Sequence, residues 1–265
     1  MSDFAPVCPI HIMSGLAKAG LMGKYHLPLA HDVLYHENGY RQLFDVNTKT
    51  GSELDHVILD NSVIELGTAV DIKVIGKAAE IVKATVIVLP DVLLDCGATI
   101  YNCRKALEEW PRVLDKTLGD GIYTFMVVPQ GNTIEEWIHC AEAFADDTRI
   151  GWWGIPRNFN IKGLGSRKLA VDIIQTLDRT HDNDRNVHLL GFSDNVLDDI
   201  LSAQHPYVTG IDSAVPIRAA SLGLKMSLAF NHKLPSRGNW WTAPDTVYKD
   251  LMGDNLETVR YWIGD

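Results

Sequence analysis

The sequence has few cysteines and no pattern among them. Cys8, Cys96, Cys103 and Cys140 form no CxxC or CxC pair and no tight Cys/His cluster, so no ligand set for a structural zinc is visible, and a reduced, cytoplasmic setting is expected. A basic start followed by an apolar segment and a cleavage site is missing from the first twenty residues. Nor does any apolar run approach the roughly 18 residues that a membrane helix needs. Export and membrane insertion are therefore not expected. Low-complexity segments and internal repeats are missing as well. Positive charge is in deficit, with 24 Lys+Arg against 34 Asp+Glu and a net charge of −10. That balance argues against a protein that coats nucleic acid through bulk charge, while leaving room for a local basic cleft.

What the chain does have is enough apolar material for a substantial core. Of its 265 residues 46% are hydrophobic and 22% charged, which excludes disordered, collagen-like and coiled-coil classes. Short β-rich runs cover Val7 to Met13, Leu27 to Leu34, His56 to Leu59, Thr85 to Leu89, Ile122 to Val128, Arg149 to Gly154, Val187 to Leu190 and Tyr207 to Ile211. Helical patterns lie between them, clearest in Tyr101 to Leu114, Thr133 to Phe144, Arg167 to Leu177, Asn195 to Ala203 and Ala214 to Leu222. Alternation of this kind implies parallel strands joined by right-handed crossovers. Eight units in a chain of this length predict an α/β fold of the (β/α)8 TIM-barrel type, as one domain over residues 1–265, rather than an open doubly wound sheet. A closing helix is expected at about 245–263. Asn47 to Ser52 read as a loop, so the crossover expected in Glu37 to Leu54 is poorly signalled, and Asn231 to Pro244 read as a second loop.

The informative feature is what ends the strands. His56 to Leu59 runs into Asp60, Val86 to Pro90 into Asp91, Phe125 to Pro129 into Gln130, and Val208 to Ile211 into Asp212. In a parallel barrel all strand C-termini share one face, where the βα loops build the site, so residues distant in sequence converge on one ligand. Any one of these Asp residues alone is better explained as a helix cap, the role expected of Asp95 and Asp194. Four polar strand ends together, one of them a glutamine that caps poorly, favour a polar site. Lys162 to Arg167 is glycine-rich but lacks a full phosphate-loop spacing, and a loop with a Ser cap explains it. His26, His31 and His36 match no metal motif and are expected at the surface; no metal is predicted. Cys140 reads as a core residue, and Trp152-Trp153 and Trp240-Trp241 as core or loop anchors at least as readily as base-stacking platforms.

The ordered segments Leu59-Asp60-Asn61-Ser62, Pro90-Asp91, Val128-Pro129-Gln130-Gly131, Gly151-Trp152-Trp153-Gly154-Ile155, Leu189-Leu190-Gly191 and Gly210-Ile211-Asp212, with Pro216 and Arg218 following, resemble the tRNA-guanine transglycosylase family over about residues 7 to 225. The most specific part is Asp212 to Arg218, whose Asp, Pro and Arg spacing is that of the family's nucleophile segment. The resemblance implies Asp212 as the nucleophile at C1′ and Asp60 as the general acid/base. It further implies Asp91 and Gln130 as readers of the guanine edge, the Gly154 backbone N–H as a contact to the base carbonyl, Ile155 and Arg218 as further substrate contacts, and no cofactor.

Departures from the family narrow the expectation. The Cys/His zinc subdomain and an appended RNA-binding domain are missing, Ser62 and Val63 replace the usual glycines, Ile64 stands where an aromatic residue commonly stacks on the base, and Trp153-Gly154 replaces a doubled glycine. A reduced barrel with these motifs looks like the phage and bacterial branch that acts on DNA, exchanging guanine for a 7-deazaguanine. DNA and a free 7-deazaguanine base are the expected partners, with tRNA the alternative polymer and a second copy or a partner protein as further candidates. Backbone contacts are expected from Arg157, Lys162, Arg167, Lys168, Lys225, Lys233 and Arg237. A non-catalytic nucleic-acid-binding subunit and an unrelated barrel hydrolase or lyase are the competing classes. The first would be expected to lack one of the carboxylates Asp60 and Asp212, and the second would not bind 7-deazaguanines.

Overall fold

A computed structural model describes residues 2–49, 56–117, 123–157, 159, 163–192, 196–229, 234 and 248–265. Eight strands form one sheet: β1 (Asp3–Pro6), β2 (Tyr25–His26), β3 (His56–Leu59), β4 (Val86–Val88), β5 (Thr124–Val127), β6 (Ile150–Pro156), β7 (Asn186–Leu190) and β8 (Gly210–Ser213). Their order is β1-β8-β7-β6-β5-β4-β3-β2, with parallel pairing throughout. Because β1 also lies beside β2, the sheet curls into a nearly closed (β/α)8 barrel. Among the described residues the helices are α1 (Ile10–Lys18), α2 (Ala30–Tyr35), α3 (Glu37–Lys49), α4 (Val63–Leu66), α5 (Ile72–Val82), α6 (Cys96–Thr117), α7 (Ile134–Glu142), α8 (Arg167–Thr180), α9 (Val196–Ala203), α10 (Val215–Ser221), α11 (Met226–Ala229) and α12 (Lys249–Ile263).

Strand side chains alternate between two apolar layers, as the period of two requires. Val57, Leu59, Ile87, Val127, Trp153, Ile155, Leu189 and Ile211 face the helices. Ile58, Val86, Val88, Met126, Val128 and Trp152 fill the barrel interior with Tyr25, Leu27 and Leu29. The same alternation carries Asp60, His188 and Asp212 to the inward phase. The aromatic residues Tyr25, His56 and Trp152 cluster inside, with His56 edge-on to Trp152 at 4.8 Å between ring centroids.

Six of the eight predicted strands coincide with observed ones to within a few residues, while the two N-terminal runs are corrected. Val7 to Met13 follows β1 rather than forming it, and Ile10 to Met13 opens α1, whose N-cap position is Pro9. Leu27 to Leu34 likewise spans a turn, a single bridge between Leu29 and Asp60, and most of α2. In both segments the apolar run joins a strand to a helix and is mostly buried, and over so short an apolar run periodicity cannot separate strand from helix. The loop read in Asn47 to Ser52 is corrected over its described part, since α3 continues to Lys49. Buried Tyr40, Leu43 and Phe44 give that helix an apolar stripe. Glu37 binds Arg41 and Lys77 at 3.0 Å each. Packing therefore outweighs the weak helix propensity of Asn and Thr at its end. The closing helix begins at Lys249; the predicted loop Asn231 to Pro244 lies outside the described residues apart from Leu234. Asn255 pins α12 down, its Nδ2 donating to Pro216 O and Leu224 O while its Oδ1 accepts from Met226 N.

Behind β6, the buried carboxylate of Asp178 accepts from Trp153 Nε1 at 3.0 Å and from the Tyr207 hydroxyl, and pairs with Arg185 at 3.5 Å. The Arg185 guanidinium also lies over the Trp153 ring at 5.0 Å. Asp178→Ala strands a buried cation and two donors and should cost about 3–5 kcal/mol. Urea unfolding would register this as a lower midpoint at unchanged slope; a midpoint equal to wild type would remove this cluster from the fold's supports.

Candidate active site

The C-terminal rim encloses a cavity of about 320 Å³ whose lining includes Asp60, Asn61, Glu65, Asp91, Gln130, Arg157, Asp212 and Arg218. Its apolar walls come from Val7, Leu27, Leu29, Val88, Val128, Leu190 and Phe192. All four polar strand ends anticipated from the sequence meet here, because parallel strands end on one face and because each of these residues interrupts an apolar run at the rim.

Asp60 is fixed first through its backbone, its N–H donating to Pro28 O and its carbonyl accepting from Ala30 N, both at 3.0 Å. Its Oδ1 accepts from Ser62 N at 2.6 Å, and Ser62 takes a left-handed conformation (φ 64°) to make that turn. Burial pushes the Asp60 carboxyl well above the usual carboxylate range; the like charge of Glu65 adds to this, and Asp212 and Asp91 contribute further, against the Ser62 N–H.

Asp91 is held from both sides by amides. Asn61 Nδ2 donates to Oδ1 at 2.7 Å and Gln130 Nε2 to Oδ2 at 2.6 Å. Asn61 itself is committed, donating also to Leu89 O and accepting from Val63 N, and Gln130 Oε1 accepts from Leu94 N. Burial raises the Asp91 carboxyl to about 6, with the Asn61 and Gln130 hydrogen bonds opposing it. A folded-state value above the unfolded 3.8 means that the folded state binds this proton more tightly. The resulting stabilisation is fully present below about pH 4 and lost as pH rises through 6, a change of about 2–3 kcal/mol for a shift of this size. Asp91→Asn should remove that part of the pH slope. Urea midpoints at pH 4 and pH 7 for both proteins test it, and an identical slope in the variant would refute it.

The fourth strand end, Asp212, is part of a buried chain that the sequence reading missed. Asp212 Oδ1 accepts from Gly191 N at 2.9 Å and lies 3.0 Å from His188 Nε2, and the opposite ring nitrogen, Nδ1, is 2.6 Å from the Tyr25 hydroxyl. Burial, with the charges of Asp212 and Asp3, pushes the Tyr25 hydroxyl well upward, so it keeps its proton. These partners assign the roles: Tyr25 donates to Nδ1, and Nε2–H donates to the carboxylate. Gly210 makes room for this, since a Cβ there would sit 2.5 Å from the Tyr25 ring. A signal for His188 existed in Asn186 to Leu190, where it takes the inward phase between Val187 and Leu189. Tyr25 gave none, because its strand is two residues long.

The remaining anticipated residues divide. Arg218 and Arg157 line the cavity. Gly154 points inward, but the space its side chain would take is filled by Val128, Leu190 and Met126, and Ile155 faces the helices in the outer core. It is Pro156 that reaches the cavity from β6, two positions beyond Gly154 in the inward phase. Arg167 corrects the backbone-contact expectation outright: it is fully buried and paired with Asp199 at 3.0 Å. Lys168, on the exposed side of α8, bonds Asp172 at 2.7 Å, and Lys225 is exposed beside α11. Lys162, Lys233 and Arg237 lie outside the described residues, as do Asp194 and Trp240-Trp241. Asp95 does cap α6 through Ala98 N, and Ser166 caps α8 through Leu169 N. Cys140, Trp152 and Trp153 are core, while His26, expected at the surface, is buried against Phe44.

Fold and site together define a (β/α)8 barrel with an acid-lined pocket at its C-terminal mouth. Compared with known proteins, the chain matches no family model and no curated protein. Among the described residues no group of His, Cys, Asp and Glu is placed to hold a metal ion, and no helix is long and apolar enough to cross a membrane.

Proposed function

We propose that the protein is a base-exchange transglycosylase that replaces guanine in DNA with a 7-deazaguanine such as 7-cyano-7-deazaguanine. The observation carrying this reading is the convergence of Asp60, Asp91, Gln130 and Asp212 on one small cavity. Its volume is at the lower end for ligand sites, about 300–1,000 Å³, which suits one flat ring system entering from a polymer that stays outside. Asp91, an acceptor when ionised, meets the adjacent N–H donors of a guanine edge, and the second N–H of the Gln130 amide meets its carbonyl. Arg157 and Arg218 at the cavity suit the flanking phosphates.

In the reaction a carboxylate oxygen of Asp212 attacks C1′, and the C1′–N9 bond breaks with its electron pair leaving on guanine, which takes a proton from Asp60. The incoming base then gives its N9 proton to Asp60, bonds to C1′ and expels the Asp212 carboxylate. Two inversions retain the configuration, as in retaining glycosidases. Because C1′ is concealed in a duplex, the target nucleotide must be extruded or already unpaired.

Incubation of the protein with labelled 7-cyano-7-deazaguanine and either DNA or tRNA at low salt tests this. Label should enter DNA, with a yield that falls as salt rises, because salt weakens the phosphate contacts proposed for Arg157 and Arg218. Incorporation into tRNA alone would overturn the choice of polymer, and incorporation into neither would overturn the exchange reaction.

A further inference from the structure

Arg167 is a fully buried cation whose guanidinium donates to three backbone carbonyls at the ends of β6 and β7 and pairs with Asp199 on α9. Its Nη1 donates to Gly191 O at 2.6 Å and to Asp199 Oδ1 at 3.0 Å. Its Nη2 donates to Ile155 O at 2.6 Å and Leu190 O at 3.1 Å. These carbonyls lie where β6 and β7 end, and Pro156, which faces Leu190 across the ladder, has no N–H to offer them. The peptide between Leu190 and Gly191 is therefore bonded at both ends: its carbonyl accepts from Arg167, and its N–H donates to Asp212 Oδ1. Hydrogen bonds in series polarise one another, and a guanidinium at the carbonyl end strengthens the N–H at the other. Gly191 turns into the left-handed region at this point (φ 66°), a conformation that needs outside support to stay fixed. Burying an Arg–Asp pair is not needed for stability as such, since apolar residues of similar volume commonly serve as well or better.

We propose that Arg167 is a positioning residue: it braces the Leu190–Gly191 peptide so that the Gly191 N–H holds Oδ1 of Asp212 and leaves Oδ2 toward the reacting carbon. Its effect on turnover rests on Asp212 being the nucleophile; the bracing itself does not. Arg167 thus acts two bonds away from the chemistry, through a peptide rather than through the polymer backbone.

The test uses the full chain and compares wild type with the double variant Arg167→Met/Asp199→Leu, which removes both charges and leaves neither stranded, and with Arg167→Lys, whose single ammonium cannot span the same carbonyls. Amide NMR of assigned Gly191 gives one readout and base exchange the other. In a folded variant the Gly191 amide should move upfield and exchange with deuterium at least about tenfold faster, the mark of a lost brace. Turnover should fall by about 10- to 100-fold with KM little changed, as misplacement of a reacting group predicts. Should the double variant not fold, Arg167→Lys decides on the same amide. An unchanged Gly191 amide in a folded variant overturns the proposal, whatever turnover does. An altered amide in a protein whose wild type exchanges no base upholds the bracing and refutes only the transglycosylase reading.

Discussion

Replacing Asp212 by asparagine should leave a folded protein and remove base exchange, by at least about a thousandfold, because the nucleophile of the covalent step is lost. The surroundings explain why the fold should survive. Two N–H donors, from Gly191 and His188, converge on Oδ1. An asparagine side chain satisfies both by turning its carbonyl oxygen toward them, which places its NH₂ where Oδ2 stood. The substitution therefore keeps the local hydrogen bonds and puts a non-nucleophilic group at the attacking position. Mass spectrometry of the protein incubated with DNA should detect a covalent sugar adduct in the wild type and none in the variant. A variant with wild-type turnover would show that Asp212 is not the attacking group.

The strand ends were legible because each is a sharp change of chemistry at a defined place. His56 to Leu59 is apolar, Asp60 is not, and a parallel barrel sends every such break to the same rim. The supporting residues were not legible in that way. Asn61 follows Asp60 directly and reads as a turn residue, yet its amide reaches Asp91 thirty positions on, a contact set by the pairing of β3 with β4. Arg167 reads as the first residue of a helix after a glycine-rich loop, which suggests solvent. Its burial depends on Asp199 and on three carbonyls of other elements, none of which is signalled locally. Ile155 fell on the wrong face because β6 runs two residues past Gly154, so the rim lies at Pro156. Sequence patterns thus reported which residues break the apolar rhythm. Which ones hold the others in place is set by long-range packing, and only the fold revealed it.

The second large effect belongs to Asp60. A general acid for the departing guanine must hold its proton near neutral pH, and Asp60 is arranged for this: burial raises its carboxyl, and the neighbouring charge of Glu65 raises it further. Asp60→Asn should lower exchange by about 10²–10⁴-fold, the usual worth of a positioned acid or base. The more discriminating variant is Glu65→Gln, which leaves Asp60 in place and removes the like charge beside it. The sign follows from the acid's role: activity needs the protonated form when guanine leaves, so turnover declines as pH rises through the raised Asp60 value. Without the Glu65 charge that value drops, and the alkaline limb of the turnover profile should move to lower pH while the maximum rate stays close to wild type. A pH series of single-turnover guanine release from labelled DNA measures this. A limb that stays in place, or one that moves upward, would mean that Asp60 is not the acid for the departing base or that Glu65 does not set its proton affinity, and Asp60→Asn measured in the same series separates the two. If the limb persists in Asp60→Asn, the acid lies elsewhere in the cavity; if it vanishes there but does not move in Glu65→Gln, burial and the remaining carboxylates, not Glu65, set the proton affinity of Asp60.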